Sequence, residues 1–378
     1  MKNLKYILIP ALLLAALACD PVSLDPPQFQ KQQKSLLVYM VANNNLSSYS
    51  TNNISSMMAG YLPTEDNLLV YVHSTSGNPL LLRLYKDESG AAAKDTVYRF
   101  PQRNSADPKS LTSALKVCKT MYPADEYGLI LWSHGSGWLP TEYYGKTRSF
   151  GQDGAKEMDI IELAKALPYK LNYLVFDACL MGGIEVVYEL KDSVDYVISS
   201  PTEILSNGFP YEKIMEHVFK SSTNLEELAK EYYNHYNSDS GSSRSATVSV
   251  VKTSELEKVA QKAKEIFSQY GHNGNFSHKL VDTTAIQKYY RGDKHWFYDL
   301  GGLMEQLAAD DAPEFKEALE EAVIYKAATP SFLGIQINKN KFSGLSTYIP
   351  SPKADAVLLE YYQKLRWNKD TEYIKMSE

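Results

Sequence analysis

Two stretches of the chain end on side chains that could perform nucleophilic chemistry. Leu171 to Gly183 reads LNYLVFDACLMGG and contains Cys179, and Tyr127 to Trp138 reads YGLILWSHGSGW and contains His134. In each stretch an apolar run of strand length stops just before the reactive residue. Such unbroken runs are typical of parallel strands buried on both faces, and open α/β sheets carry their sites at the carboxyl ends of the strands. We therefore expect the thiol and the imidazole to lie side by side, as a cysteine nucleophile and its base do.

Glycines next to these residues are consistent with acyl-transfer chemistry. Such chemistry needs backbone N–H groups that stabilise a developing oxyanion, and tight turns supply them without reorganisation. Gly135 follows His134 directly, so its amide is one candidate donor, and the amide of Cys179 is the second. After Cys179, Gly182 and Gly183 let a helix begin close to the site.

The elements that must position these residues alternate between strand and helix. Strands are expected near 36–41, 67–73, 129–132, 173–176 and 195–199, with helices near 46–61, 109–121, 157–167 and 182–190 between them. Two further strands, 80–86 and 96–100, suggest a hairpin at the sheet edge. This order predicts an α/β fold with a mostly parallel sheet and helices on both faces, spanning residues 35–221.

Residues 222–378 follow a different pattern. Helices are predicted over 225–236, 255–269, 300–308, 313–326 and 355–365, with strands at 246–251, 332–337 and 345–349. We interpret this part as an α+β C-terminal subdomain that is packed on the core.

Charge and cysteine content argue against a nucleic-acid-binding protein and against a disulfide-rich one. The 378-residue chain has a formal net charge of −6 and shows no basic surface stripe, so we expect no nucleic-acid partner. It contains three cysteines, and the first of them, Cys19, lies in the N-terminal leader. The remaining pair provides no disulfide framework. Cys118 falls at helical spacing among apolar residues and is predicted to be a core side chain.

The N-terminus resembles a bacterial lipoprotein leader. Two lysines precede an apolar run that ends in Ala16-Leu17-Ala18-Cys19. We expect residues 1–18 to be a signal peptide, Cys19 to carry the lipid, and residues 19–34 to form a disordered tether. On this interpretation the protein is exported and anchored to a bacterial membrane, in the periplasm or at the cell surface. An ordinary secretory signal, with Cys19 incidental, is the alternative.

The remaining histidines give no metal-ligand spacing, so no metal site is predicted. His73 lies at the end of another predicted parallel strand, where it could either line the same cleft or serve a structural role.

Taken together, the paired motifs resemble the clostripain family of cysteine peptidases, which shares the caspase-like α/β/α sandwich fold with caspases, gingipains, legumains and separase. The resemblance extends from residue 36 to the C-terminus through further segments: YMVANNNL (Tyr39 to Leu46), WFYDLGGL (Trp296 to Leu303) and GLSTYIP (Gly344 to Pro350). It implies a peptidase core with Cys179 as nucleophile, His134 as acid/base, and the amides of Gly135 and Cys179 as oxyanion hole.

The same resemblance suggests how a substrate is selected, although this chain departs from the family at two positions. Asn43 stands where the family usually has aspartate, and Asn207 stands where an acidic residue that pairs with a basic P1 side chain is expected. Asp177 and Glu203 are the remaining candidate partners for Arg or Lys at P1. Asp177 could equally cap or orient its turn.

Family members are often activated by a cut between the two motifs. The polar loop YYGKTRSF contains Lys146 and Arg148, and we expect self-cleavage after one of them. A plain surface loop is the alternative. A protein or peptide substrate is expected, the chain is expected to be a monomer, and no cofactor is predicted; calcium is not indicated by the sequence.

Two other functions compete with a peptidase. A catalytically silent surface lipoprotein could use the same fold to bind a peptide or a glycan. A serine α/β-hydrolase is suggested by the likeness of HGSGW to the oxyanion loop of lipases. The chain contains no G-x-S-x-G nucleophile elbow, and GLSTY around Ser346 is the nearest approach to one.

Overall fold

The architecture described below is that of a computed structural model. The structure describes residues 30–63, 65–75, 77–140, 149–270, 281–290, 295–308, 312–350 and 356–375. Within these ranges, no helix has both the length and the apolar character needed to cross a membrane.

The strands, numbered in chain order, are β1 (Gln32–Ala42), β2 (Asn67–Ser74), β3 (Leu80–Lys86), β4 (Ala92–Arg99), β5 (Ala124–Trp132), β6 (Phe150–Asp153), β7 (Lys156–Met158), β8 (Leu171–Asp177), β9 (Val194–Ser199), β10 (Thr247–Lys252), β11 (Tyr298–Asp299), β12 (Val323–Ala328), β13 (Ser331–Phe332), β14 (Ile335–Gln336) and β15 (Ser346–Thr347).

The helices are α1 (Ser47–Ala59), α2 (Pro108–Met121), α3 (Ile160–Lys165), α4 (Ile184–Glu189), α5 (Tyr211–Phe219), α6 (Leu225–Asn237), α7 (Leu256–Tyr270), α8 (Leu300–Ala308), α9 (Pro313–Ala322), α10 (Ala356–Tyr362) and α11 (Arg366–Thr371).

One nine-stranded sheet organises the molecule, in the order β12-β10-β9-β8-β5-β1-β2-β3-β4. The central strands from β9 to β2 are parallel to one another. The flanking strands are antiparallel: β3 and β4 form the expected edge hairpin, and β10 and β12 extend the opposite edge. The predicted mostly parallel α/β sheet is therefore confirmed, and two strands from beyond residue 222 belong to it. Whether residues 222–378 form a distinct subdomain stays a prediction.

Apolar side chains cover both faces of the sheet, which explains why the central strands lack polar alternation. In β8, Leu174 and Phe176 enter one hydrophobic cluster, whereas Tyr173 and Val175 enter the other. Helices α2, α3, α4, α7, α8 and α9 contribute to the first cluster, and α1, α5 and α6 contribute to the second. This gives the three-layer arrangement that parallel strands require. Cys118 is buried in the first cluster, as predicted, and burial raises the pKa of its thiol.

Several element boundaries differ from the predictions. The helix expected over 313–326 ends at Ala322, and the residues after it form β12, because their β-branched and aromatic side chains pair with β10. The helix expected over 157–167 is shorter, since its first residues form β7 against β6. Helices α5 and α11 were not predicted, and both are short, which makes their periodicity hard to detect.

The loop that follows β9 is fastened to the end of β8 by Asp177. Its carboxylate accepts hydrogen bonds from the Phe209 amide at 3.2 Å and from the Tyr211 hydroxyl at 2.8 Å. Gly208 has a φ of +70°, and a Cβ there would lie 2.5 Å from the Asp177 carboxylate, so only glycine fits. Burial raises the pKa of Asp177 from 3.8 to about 6, against the opposing effect of the hydrogen bonds.

This buried carboxylate makes a testable contribution to the pH dependence of stability. Because its pKa is higher in the folded chain, the stability it contributes is present below pH 3.8 and is lost as the pH rises through about 6. Such a change in pKa corresponds to roughly 3 kcal/mol. Asp177→Asn lacks this titrating group, so its free energy of unfolding minus that of wild type should rise by roughly 3 kcal/mol between pH 4 and pH 7. Urea unfolding followed by tryptophan fluorescence measures this difference.

The matched control is Asp239→Asn, because Asp239 is exposed at the end of α6. The rise for Asp177→Asn should exceed any change that this control shows over the same pH range. A difference between Asp177→Asn and wild type that does not exceed the control would contradict the assignment.

Candidate active site

The site forms where β5 and β8 end side by side. The parallel register pairs Trp132 with Asp177, so His134 and Cys179 each lie two residues beyond the last pair. A hydrogen bond of 3.3 Å from the Ser133 amide to the Asp177 carbonyl continues the pairing past the strand ends. The two predicted residues therefore lie together at the carboxyl ends of two adjacent central strands.

Gly135 makes this approach possible. A Cβ on Gly135 would lie 2.6 Å from the Cys179 carbonyl oxygen and 3.1 Å from both the Ala178 Cβ and the Met181 Sδ. A separation below 3.0 Å from a backbone atom cannot be relieved by moving a side chain. Any larger residue would consequently push the turn of His134 away from the turn of Cys179.

Cys179 occupies a partly exposed and conformationally restricted turn. Its sulfur accepts a hydrogen bond from the Ile204 amide at 3.3 Å and lies 3.7 Å from the Ile204 carbonyl. The next residue, Leu180, has a φ of 64°, a left-handed conformation that costs about 1–2 kcal/mol for a side chain of this kind. A hydrogen bond from the Leu180 amide to the Thr202 carbonyl, 2.8 Å long, holds that conformation. Backbone strain of this kind is concentrated at functional sites.

His134 is partly buried and is held from two sides. Its Nε2 lies 2.7 Å from Oδ1 of Asn45, and its carbonyl accepts a hydrogen bond of 2.9 Å from the Gly151 amide. Gly135 forms an isolated bridge with Phe150 on the same segment. The strand after the loop between the two motifs therefore supports the histidine turn directly.

Asn45 is the site residue that sequence reasoning missed. Asparagines just before a helix commonly cap it, but Leu46 occupies the cap position of α1 and no side chain caps that helix. Asn43 instead bonds to Asp153, and Asn44 bonds to the Gln152 carbonyl. The available signal was a run of side chains able to form hydrogen bonds at the end of a parallel strand beside β5.

The predicted specificity residues have three different environments. Asp177 is buried and fastens the loop after β9, which is the orienting role considered for it. Glu203 is partly buried and lines a narrow crevice with Leu180 and the aromatic residue Phe297. Asn207 is exposed, and its carbonyl accepts a hydrogen bond from the Asn53 side chain at 3.0 Å. Glu203 is thus placed beside the turn that follows the nucleophile.

His73 belongs to the core, which resolves the two interpretations left open for it. Its imidazole is only 2% exposed, and Nδ1 lies 2.8 Å from Ser105 Oγ and 2.9 Å from Asp153 Oδ2. It serves a buried polar network and does not line an open cleft.

Some predicted sites lie outside the described residues. These are the lipidation site Cys19, with its leader, and the cleavage candidates Lys146 and Arg148. The lipid anchor therefore stays a prediction. In the part of the chain that the structure describes, no cluster of three or more His, Cys, Asp or Glu side chains could hold a metal ion.

Comparison with known proteins gives concordant matches. The model of the clostripain family matches residues 38–376. Clostripain of Hathewaya histolytica is 30% identical over 224 residues, covering 50% of this chain and 43% of that protein, so the chain spans less than half the length of this curated relative.

Two crystal structures cover nearly the whole fold. An inactive zymogen C11 protease from Parabacteroides distasonis is 34% identical with a TM-score of 0.79, covering 90% of this chain and 99% of that one. A secreted C11 cysteine protease from Bacteroides thetaiotaomicron, solved with an irreversible peptide inhibitor, is 28% identical with the same TM-score and the same coverage. From the family match over most of its length, the chain belongs to the clostripain family of cysteine peptidases.

Proposed function

We propose that this chain is a cysteine endopeptidase in which Cys179 is the nucleophile and His134 is the acid/base. The observation that carries the proposal is the meeting of the two turns at the ends of β5 and β8, with Gly135 against the Cys179 carbonyl. The family supports the reaction class, and the geometry supports the choice of residues.

The reaction divides into two acyl transfers. The Cys179 sulfur gives its proton to His134 and attacks the substrate carbonyl, and the amides of Gly135 and Cys179 stabilise the resulting oxyanion. His134 then protonates the departing amine, which leaves an acyl-enzyme. A water molecule, deprotonated by His134, releases the carboxylic acid and restores the thiol. The Ile204 amide donates a hydrogen bond to the sulfur, and a thiolate formed during the reaction would retain this donor.

Replacing either proposed catalytic residue should abolish most of the hydrolysis. We expect Cys179→Ala to remove peptide hydrolysis and labelling by an irreversible peptide inhibitor. His134→Ala should lower kcat by about 10²- to 10⁴-fold. Mass spectrometry of a peptide library and of the labelled protein provides both readouts.

The control is Cys118→Ala, which changes the other cysteine among the described residues, a buried one. It should retain hydrolysis and labelling. Identical cutting by wild type and Cys179→Ala would overturn the proposal and favour a serine nucleophile. Failure of the wild-type protein to hydrolyse peptides or to be labelled would favour a catalytically silent binding protein.

We further propose that the substrate is cut after Arg or Lys, with Glu203 as the acidic partner. Asp177 is buried and bonded to Phe209 and Tyr211, whereas Glu203 lines the crevice beside the turn that follows the nucleophile, where a P1 side chain could reach its carboxylate. Asn207, exposed on the same loop, would add a neutral hydrogen-bonding group at the pocket.

Glu203→Gln should lower kcat/KM for peptides with Arg or Lys at P1 by about 10- to 160-fold, since one charge-assisted hydrogen bond is worth roughly 1.5–3 kcal/mol. Peptides with Asn or an aliphatic residue at P1 should be unaffected. Glu212→Gln, at an exposed position of α5, is the control. Equal or better turnover of the neutral peptides by wild type would refute the preference.

Self-cleavage after Lys146 or Arg148 is also proposed. The segment just after the loop is held to the histidine turn by the Ser136 amide bonded to the Ser149 carbonyl at 3.2 Å and by the Gly151 amide. A cut in the loop would therefore leave Ser149 and Gly151 bonded to the histidine turn.

We expect purified wild type to form two fragments that co-elute in size-exclusion chromatography. The double variant Lys146→Ala, Arg148→Ala should remain one chain, and so should Cys179→Ala. Lys156→Ala, a control in β7, should be cut as wild type is. A wild-type preparation that remains one chain while fully active would contradict self-activation.

A further inference from the structure

We propose that Asn45 is a positioning residue that accepts a hydrogen bond from His134 Nε2 and thereby reserves Nδ1 for proton exchange with Cys179 and the leaving amine. The inference rests on the proposed function. Its geometric basis is the 2.7 Å separation between His134 Nε2 and Asn45 Oδ1.

This contact selects one tautomer of the imidazole. An amide oxygen is only an acceptor, so Nε2 must carry the proton and Nδ1 must carry the lone pair. The nitrogen that faces Asn45 cannot serve as the base. Proton transfer is therefore assigned to Nδ1, and the orientation of the ring follows from where Asn45 lies.

Asn45 can hold the ring because its own turn is anchored. The Asn44 side chain accepts a hydrogen bond from the Leu46 amide at 2.8 Å and donates to the Val41 carbonyl at 3.1 Å and to the Gln152 carbonyl at 2.7 Å. These bonds tie the end of β1 both to itself and to the segment that also bonds the His134 carbonyl.

A buried carboxylate fixes the other side of the turn. Asp153 accepts a hydrogen bond from the Asn43 side chain at 2.6 Å and from the Ser105 amide at 2.6 Å, and it lies 2.9 Å from His73 Nδ1. Asn43 and Asn44 therefore secure the backbone, and Asn45 is the member of the three whose side chain reaches the catalytic histidine. A run of three identical residues thus divides into two anchors and one contact.

The Asn45 side chain stays uncharged throughout the proposed reaction. When Nδ1 takes the thiol proton, the imidazole becomes an imidazolium, and the bond from Nε2–H to the Asn45 oxygen becomes charge-assisted and stronger. When Nδ1 delivers that proton to the departing amine, the neutral tautomer returns. Asn45 gains and loses no proton in either step.

Two substitutions separate orientation from charge. Asn45→Ala removes the acceptor, so the ring loses its support, and kcat should fall by about 10- to 100-fold, as small misplacements of a catalytic group do, while KM changes little. Asn45→Asp keeps the shape and the acceptor but adds a negative charge beside the imidazole. It should recover much of the activity lost in Asn45→Ala and move the imidazole-dependent limb of the kcat/KM profile to higher pH by about 1 unit.

The experiment measures the pH profile of kcat/KM on the preferred peptide and the pH dependence of Cys179 alkylation by iodoacetamide, for wild type and both variants. Alkylation needs no substrate, so it reports on the thiol and imidazole even if the peptide substrate is wrong. Asn52→Ala and Asn52→Asp, at an exposed position of α1, are the matched controls and should reproduce wild type. Thermal unfolding establishes that each variant is folded.

The outcomes distinguish failure of the Asn45 assignment from failure of the proposed peptidase function. Loss in Asn45→Ala with recovery and a shifted pH limb in Asn45→Asp supports the assignment. Wild-type profiles in both Asn45 variants, or equal losses in both without any shift in the pH dependence of alkylation, overturn it. Full activity in Cys179→Ala or His134→Ala would instead overturn the proposed function.

Discussion

The parallel register of β5 and β8 places the reactive residues. Because Trp132 lies opposite Asp177, and His134 and Cys179 each follow two residues later, both residues lie at the same end of these adjacent strands. That register in turn depends on apolar side chains that fill both faces of the sheet, since a slip of one residue would exchange its two faces. The close contact at Gly135 then brings the two turns together and admits no larger residue.

A second constraint is the buried polar network behind the histidine turn. Burying a carboxylate is costly unless its oxygens are satisfied by donors. Asp153 meets that condition through Asn43, Ser105 and His73, which come from three separate parts of the chain. The cost is therefore offset only when these segments are correctly assembled, and such a network specifies one arrangement of the loops around the site. The strained Leu180 turn is maintained in a similar way by the loop after β9.

Elements with strong periodicity were predicted well and short ones were not. The buried strands and α2 were recognised because their apolar patterns extend over many residues. Helix α5 has only nine residues, and β12 occupies the end of the helix that was predicted over 313–326. Both elements depend on neighbours far away in sequence. The same limit applies to Asp177: its local pattern allowed either a specificity role or a turn-orienting role, and its bonds to Phe209 and Tyr211 involve residues more than 30 positions away.

The strand ends that carry His134 and Cys179, the glycine at position 135 and the mostly parallel sheet could all be predicted from the sequence. These follow from local hydrophobic pattern and from the chemistry of side chains at strand termini. The burial of His73, the attachment of a loop by Asp177 and the contact of Asn45 with the imidazole depend on the folded arrangement of distant segments. A hydrogen-bonding side chain can satisfy a local turn or a distant partner equally well, so its partner depends on which segments the folded sheet brings within about 3 Å.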